Sequence, residues 1–323
     1  MILISLLFLF ITSSFVEAQE LTTKITDGVY TFNLGNLVLP YTSMFVVTGS
    51  GVMVIDPMNS NNARAMLQEI RKITNEPIRY VFYSHDHWDH ASGGQVFRNE
   101  GAEIIAHEEA NNWIKENANP DQIPATTEWF GSRKQYSLGK FTMELYNFGP
   151  SHGDGMTVFV VNSQPKVAYL ADIASIKSVG AFFLPDFDTK GWEETLEKTL
   201  QLDFEKVIFA HSPQQGGTRQ DLQDHLGYIK DVRAAVRAEL GKGTNPFAIP
   251  SVVKLDKYKD WNGYNDQFIL NLQHFVVEEG ILGPYARPGR RKRSSHSTKS
   301  FNQGQSFGSG YSYWRLRSCK GRY

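Results

Sequence analysis

The stretch Ser84-His85-Asp86-His87-Trp88-Asp89-His90 directly follows the apolar run Ile78 to Tyr83. Where a buried strand would run out into a loop, seven residues hold three imidazoles and two carboxylates. In extended backbone, side chains two apart point the same way, so His85, His87 and Asp89 share one side while His90 turns to another. That arrangement suits two metal ions. A polar loop with incidental histidines is the plainer reading, and for a lone histidine it would be preferred. Here five metal-competent groups beside an apolar strand would otherwise repel one another, stay wet or sit unsatisfied, which favours metal binding.

Working outward, Gly28 to Phe32, Met44 to Thr48 and Val52 to Ile55 read as short strands split by glycine-rich turns. Asp56 closes the last of these, either as a carboxylate that orients a ligand or as a turn-starting Asp. A helix is expected from about Ala63 to Ile73, capped by Ser60 or an adjacent Asn, with Ala63, Met66, Leu67, Ile70 and Ile73 on one face. Gly93-Gly94 would let backbone approach the site before a short helix through Val96 and Phe97. His107 ends the strand Glu103 to Ala106 and reads as structural, since nothing nearby completes a site; a helix from about Glu108 to Asn117 follows. Asn117 to Ser137 has little periodicity, which makes it a candidate cover for the site or a surface excursion whose aromatics pack down.

In the second half, alternating runs Phe141 to Phe148 and Met156 to Val161 flank a loop that carries His152. Asp154 in that loop either positions it by hydrogen bonding or is a plain turn residue. The strand Val167 to Leu170 ends at Asp172, and Lys206 to Ala210 ends at His211, so a ligand-type residue again follows a strand. Ala181 to Asp188 is suited to one wall of a pocket, ahead of a helix from Trp192 to Leu202. Between Thr218 and Leu240, Leu222, Leu226, Ile229, Val232, Val236 and Leu240 step by three and four, an amphipathic helix. A second helix is expected from about Tyr264 to Glu279, after a linker from Pro246 to Gly263. Core packing is preferred to partner binding for both.

The 323 residues, 41% hydrophobic and 13% aromatic, allow one large domain or two small ones. Ten of the 33 Lys and Arg lie after Ala286, where there is no acidic residue, leaving 23 against 34 Asp and Glu before it. The body is acidic and the tail basic. Met1 to Ala18 reads as a secretory signal peptide cleaved near Ala18, so the mature chain is expected to be exported. The lone cysteine, Cys319, leaves no intrachain disulfide and no thiolate ligand in the body. From Pro284 the composition shifts to Gly, Ser, Arg and aromatic residues that cannot build a core, and a disordered extension is expected. Within it Arg290-Arg291-Lys292-Arg293 resembles a dibasic processing site, and a tail that binds an anionic surface or nucleic acid is the alternative. The expected organisation is a signal peptide over 1–18, a catalytic domain over 19–217, a helical segment over 218–285 and a basic tail over 286–323.

His85-Asp86-His87-Trp88-Asp89-His90 matches the His-x-His-x-Asp-His signature, and the chain resembles the metallo-β-lactamase superfamily across roughly Gly28 to Pro213. The resemblance implies an α/β (α+β) fold, a four-layer αββα sandwich with C-terminal helices and a dinuclear site at the edge of two facing sheets. It implies that His85, His87 and His152 hold one metal, that Asp89, His90 and His211 hold the other, and that Asp172 bridges them. Two divalent ions are the implied cofactors; zinc comes first, and imidazole and carboxylate ligands also suit iron or manganese. Ions about 3.5–4 Å apart can share a water and lower its pKa, so that a bridging hydroxide attacks a polarised bond. Asp89 is then the catalytic residue as well as a ligand, steering the nucleophile or taking up its proton.

Asp172 resembles the bridging carboxylate of glyoxalase-II-like hydrolases, where β-lactamases of the cysteine type carry a thiolate. His211 sits in Phe209-Ala210-His211-Ser212-Pro213 and not in the common Gly-His-Gly. The expected function is a metal-dependent hydrolase of an ester, thioester, lactone or amide in a small-molecule substrate. The rivals are a β-lactam hydrolase, a mononuclear iron oxygenase on the same fold and a secreted binding protein with a vestigial site. No nucleic-acid partner is expected, and no membrane contact after signal cleavage; the sequence does not set the oligomeric state.

Overall fold

The computed structural model describes residues 21–282 apart from 35–39, 118, 181–182, 213 and 215. The stretch read as a signal peptide, the basic tail and Cys319 lie outside the described residues, as do Ala181 and Phe182 of the expected pocket wall.

The first half builds a seven-stranded sheet in sequential order, β1 (Thr22–Thr26), β2 (Val29–Asn33), β3 (Thr42–Val47), β4 (Val52–Ile55), β5 (Ile78–Phe82), β6 (Glu103–His107) and β7 (Thr127–Trp129). The first four strands meander antiparallel, and β4 to β7 run parallel. Parallel pairing needs crossovers, supplied by α1 (Ser60–Ile73), the short α2 (Trp88–Ala91) and α3 (Gly94–Asn99), and α4 (Glu108–Glu116). The second sheet is ordered β13-β12-β11-β10-β9-β8, from β8 (Arg133–Leu138), β9 (Phe141–Tyr146), β10 (Val158–Val161), β11 (Val167–Leu170), β12 (Lys206–Phe209) and β13 (Gly217–Thr218). Helices α5 (Thr189–Thr199), α6 (Arg219–Gly241), α7 (Ile249–Val252) and α8 (Tyr264–Val276) follow, with 3-10 turns at Pro246–Ala248 and Asp256–Tyr258, and a π-helical segment Val277–Leu282 that carries Glu278 continues α8 to the end of the described part.

Three apolar layers hold these elements. Met53, Ile55, Phe82 and Ile105 of the first sheet meet Phe159, Tyr169 and Ile208 of the second between the sheets. Alternate residues Phe45, Val54, Val81 and Ile104 face outward onto Met66, Ile70 and Phe97. Val160, Leu170 and Phe209 face the other way, onto Leu196, Leu222, Ile229, Val232 and Leu272. The result is an αββα sandwich, as the resemblance implies. Strands buried on both faces read as nearly continuous apolar runs, which is why β4, β10 and β11 stand out in the sequence.

Several expectations need correction. Asn117 to Ser137 is not a cover: it contains β7 and most of β8, and Trp129 is fully buried. Its polar residues brace the start of α1 and the histidine loop, with Asp121 Oδ2 accepting from the Ser60 amide at 2.8 Å and Gln122 donating to the Asp86 carbonyl. Gly93 lets backbone approach the start of α1, not the site; at φ 77° a Cβ there would lie 2.5 Å from the Asn59 carbonyl. Pro246 to Gly263 is no open linker, because Ile249 and Tyr258 are buried against α6 and α8. Helix α5 begins at Thr189, ahead of the expected Trp192, because Asp188 caps it by accepting from the Gly191 amide at 2.9 Å. Among the described residues no helix is long and apolar enough to cross a membrane.

His225 shows how tightly the helical layer closes. It lies between the rings of Trp192 and Trp261, and its Nδ1 meets the Ser175 backbone while Nε2 has no partner. Burial lowers its imidazole from 6.5 to about 4. Above pH 6.5 both folded and unfolded states hold it neutral; as pH falls from 6.5 towards 4, only the unfolded state gains the proton, and stability is lost. The loss amounts to about 3 kcal/mol once both limits are passed. Urea unfolding of His225→Leu should therefore show a shallower loss of stability between these limits than the native chain; parallel curves would contradict this.

Candidate metal centre

The ligand-type residues gather where strands end at one rim of the sandwich. Asp56 follows β4, Ser84 to His90 follow β5, Asp172 follows β11 and His211 follows β12. His152 comes from the loop between β9 and β10. Asp56 and Asp172 both leave their strands with positive φ, 54° and 51°, a left-handed turn that Asp tolerates better than most residues. Sharp turns here set the Asp172 carboxylate among the imidazoles and the Asp56 carboxylate behind them.

The seven residues form two groups. His85, His87, His152 and Asp172 bring one ligand atom each within 4.8 Å of one another, and Asp89, His90 and His211 do the same. Asp172 joins the two. Its Oδ2 lies 3.1 Å from His152 Nε2 and 3.5 Å from His85 Nε2, and its Oδ1 lies 2.8 Å from His90 Nε2 and 3.1 Å from His211 Nε2. Asp89 Oδ2 stands 3.6 Å from the Nε2 atoms of both His90 and His211. The alternation argument misplaces Asp89: the chain turns helical at Trp88, so Asp89 leaves the side of His85 and His87 and faces the second group.

What lies behind the histidines fixes which nitrogen faces in. Asp56 accepts from the Ser84 amide at 2.8 Å and the Ser84 hydroxyl at 2.7 Å, while Ser84 Oγ accepts from His85 Nδ1 at 2.9 Å. The same carboxylate accepts from His90 Nδ1 at 3.0 Å. His211 Nδ1 donates to the Pro40 carbonyl at 2.9 Å, and His87 Nε2 donates to Asp186 Oδ2 at 3.3 Å. Four of the five imidazoles thus spend their N–H outward and present a lone pair inward. Those lone pairs crowd: His90 Nε2 and His211 Nε2 are 3.0 Å apart, His87 Nδ1 lies 3.1 Å from His152 Nε2, whose tautomer no outer partner sets, and buried His85 Nε2 has no hydrogen bond. Facing acceptors at such distances call for a cation between them, and the donor set fits divalent ions held by imidazole and carboxylate.

The electrostatics agree. Burial alone would lower the His211 imidazole, but the Asp172 and Asp89 carboxylates outweigh it and raise it to about 9. His90 is raised well above its usual range against the same opposition. Burial pushes Asp172 up, and His90, His211 and His85 more than reverse this, holding it well below the carboxylate range. His85 and His152, where burial dominates, are lowered. The second group thus attracts positive charge, whether carried by a proton or a metal ion.

Several participants carry no motif. Tyr169 reaches from the second sheet to Asp56 Oδ2 at 3.0 Å and to the Thr42 carbonyl at 3.0 Å; a hydroxyl in an otherwise apolar buried strand is the one sequence signal for it. Asp186 was expected only as part of an apolar wall. Tyr41 packs edge-on against His211 at 4.7 Å, and burial together with the Asp89 carboxylate pushes its hydroxyl up to about 12. Of the two readings of Asp56, its four hydrogen bonds favour the orienting role. His107 is outside both groups, its Nδ1 accepting from the Glu109 amide at the start of α4 and its Nε2 facing the Gly131 carbonyl. Asp154 also lies outside them; its carbonyl accepts from Asn147.

A family model described as the metallo-beta-lactamase superfamily matches residues 37–211, more than half of the chain, and the protein belongs to that superfamily. It is similar to the 2,4-dinitroanisole O-demethylase subunit alpha of Nocardioides sp. (strain JS1661), 28% identical over 191 residues, 58% of this chain and 54% of that one. The chain therefore spans about half the length of that relative. It is also similar to metallo-beta-lactamase IND-1 of Chryseobacterium indologenes, 27% identical over 183 residues, 54% of this chain and 73% of the relative. Among solved structures, a metallo-beta-lactamase from Pontibacter korlensis superposes with a TM-score of 0.57 at 20% identity, covering 65% of this chain and 98% of that one, a likeness of fold.

Replacing Asp56 by Asn would set an amide N–H₂ among groups that already donate, and would free His90 to rotate. Asp56→Asn should weaken metal binding about 10- to 100-fold, measured by competition with a chromophoric chelator. Unchanged affinity would contradict the orienting role.

Proposed function

We propose that the chain is an exported metal-dependent hydrolase that cleaves an ester, thioester, lactone or amide bond at a two-metal site, with zinc as the first choice of ion. The observation that carries this reading is the inward convergence of five imidazoles and two carboxylates with the outer nitrogens of four imidazoles already bonded. Two divalent ions held there would supply a water of lowered pKa and polarise the bond under attack. Asp89 faces the second group and can take the proton released by that water. Tyr41 stands near Asp89, whose charge together with burial holds the Tyr41 hydroxyl protonated at neutral pH.

A cavity of about 320 Å³ opens beside Asp89, lined by Leu34, Tyr41, Met58, Asn59, Asn62 and Trp88. The Trp88 ring is 60% exposed, enough to stack on a flat substrate, and the Asn59 and Asn62 amides offer polar contacts. The carboxylate at Asp172, where a cysteine-type β-lactamase has a thiolate, supports a substrate other than a β-lactam. Export rests on the apolar stretch Met1 to Ala18.

The test uses chain recovered from the medium, expected to begin at Gln19, loaded with zinc and offered a lactone, an aryl ester, a thioester, a β-lactam and a phosphodiester. An activated aryl methyl ether belongs in the same panel because of the demethylase relative. Turnover of one acyl substrate is expected, abolished by chelation and in Asp89→Ala and Asp172→Ala, both of which should also lose metal. Full activity in both variants, or turnover indifferent to chelation, would refute the mechanism.

A further inference from the structure

The family match ends at residue 211, yet α6 and α8 lie beyond it and reach back towards the site. The link is the loop Leu184 to Asp188, which enters α5. On its inner side this loop touches two ligands of the first group. Asp186 Oδ2 takes the outer N–H of His87 at 3.3 Å, and the Phe187 ring lies 4.2 Å from that of His152. Backbone bonds tie it to the His152 loop as well, the Gly153 amide donating to the Asp186 carbonyl at 3.0 Å and the Asp188 amide to the Ser151 carbonyl at 2.8 Å.

The loop's own conformation is not a relaxed one. Leu184 and Asp186 both have positive φ, 55° and 67°, which a leucine rarely adopts unless its surroundings impose it. The surroundings come from the C-terminal helices. His274 Nε2 faces the Phe187 carbonyl at 3.1 Å and Glu278 Oε1 at 3.3 Å. Glu278 accepts from the Thr189 amide at 3.2 Å and from its hydroxyl, and buried Arg233 donates to the same hydroxyl at 3.1 Å. Ahead of the loop, Asn271 Nδ2 donates to the Gly180 carbonyl at 2.9 Å. The loop is thus bonded to the helical layer on one side and to metal-ligand residues on the other.

We propose that the C-terminal helices clamp this loop so that Asp186 and Phe187 fix His87 and His152 in ligating position, which makes His274 and Glu278 positioning residues for the first ligand group. The proposal rests on the reading of that group as a metal site. Outer partners of metal ligands commonly govern affinity about 10- to 100-fold, and here the partner loop is itself held by a segment outside the family match.

The test titrates the full-length chain with zinc against a chromophoric chelator, comparing the native sequence with His274→Leu, Glu278→Ala and Glu278→Gln. One of two zinc ions should bind roughly 10- to 100-fold more weakly in the first two variants, while the other changes less than about twofold. Glu278→Gln keeps an acceptor for the Thr189 amide and should recover part of the loss; should Glu278→Ala not fold, it and His274→Leu decide. Met66→Ala, a core truncation on the opposite face of the sandwich, should lower the melting temperature of the metal-free protein without changing zinc affinity. Native affinity for both ions in His274→Leu and Glu278→Gln would overturn the clamp and leave the metal site standing, as would an equal loss in Met66→Ala. A native chain that takes up no zinc would overturn both.

Discussion

A single buried carboxylate ties the two sheets to the site. Asp56, 1% exposed, receives donors from the amide and hydroxyl of Ser84, from His90 and from Tyr169 of the opposite sheet. A charge so placed would be costly without those partners, and each partner is costly to bury without the charge. The outcome is mutual: β4 delivers Asp56, Asp56 fixes Ser84 and His90, and Ser84 fixes His85. Two candidate ligands, one in each group, therefore take their orientation from one residue that touches neither inward-facing nitrogen.

Beyond that anchor, the centre is built by convergence. Four ligand residues come from one stretch of six, and three come from separate strand ends of the second sheet or its loops. The strands that deliver them are among the most apolar in the chain, and their packing between two helical layers leaves little freedom at their ends. The lone pairs of His90 and His211, 3.0 Å apart, are a state that packing alone would not favour, and a cation between them would relieve it.

Much of this was legible in the sequence. Histidine density after an apolar run and ligand-type residues at later strand ends are visible in the sequence itself, whereas the choice of His152, Asp172 and His211 to complete the set comes from the superfamily resemblance. What was not legible follows from tertiary geometry. Strand alternation says nothing about the helical turn at Trp88, so Asp89 was set on the wrong side. The stretch Asn117 to Ser137 lacks periodicity because its strands are short and one is half exposed, and it read as a cover. Asp186 and Tyr169 act through contacts 99 and 113 residues away in sequence, for which no local pattern exists.

If the two groups hold one divalent ion each, joined by Asp172, the metal stoichiometry of the chain must show it. The most direct test is the metal content of the purified full-length chain, by elemental mass spectrometry after saturation with zinc and removal of excess. Two zinc ions per chain are expected, and anomalous diffraction should place them about 3.5–4 Å apart. A chain that retains no metal, or a single iron at full activity, would contradict it.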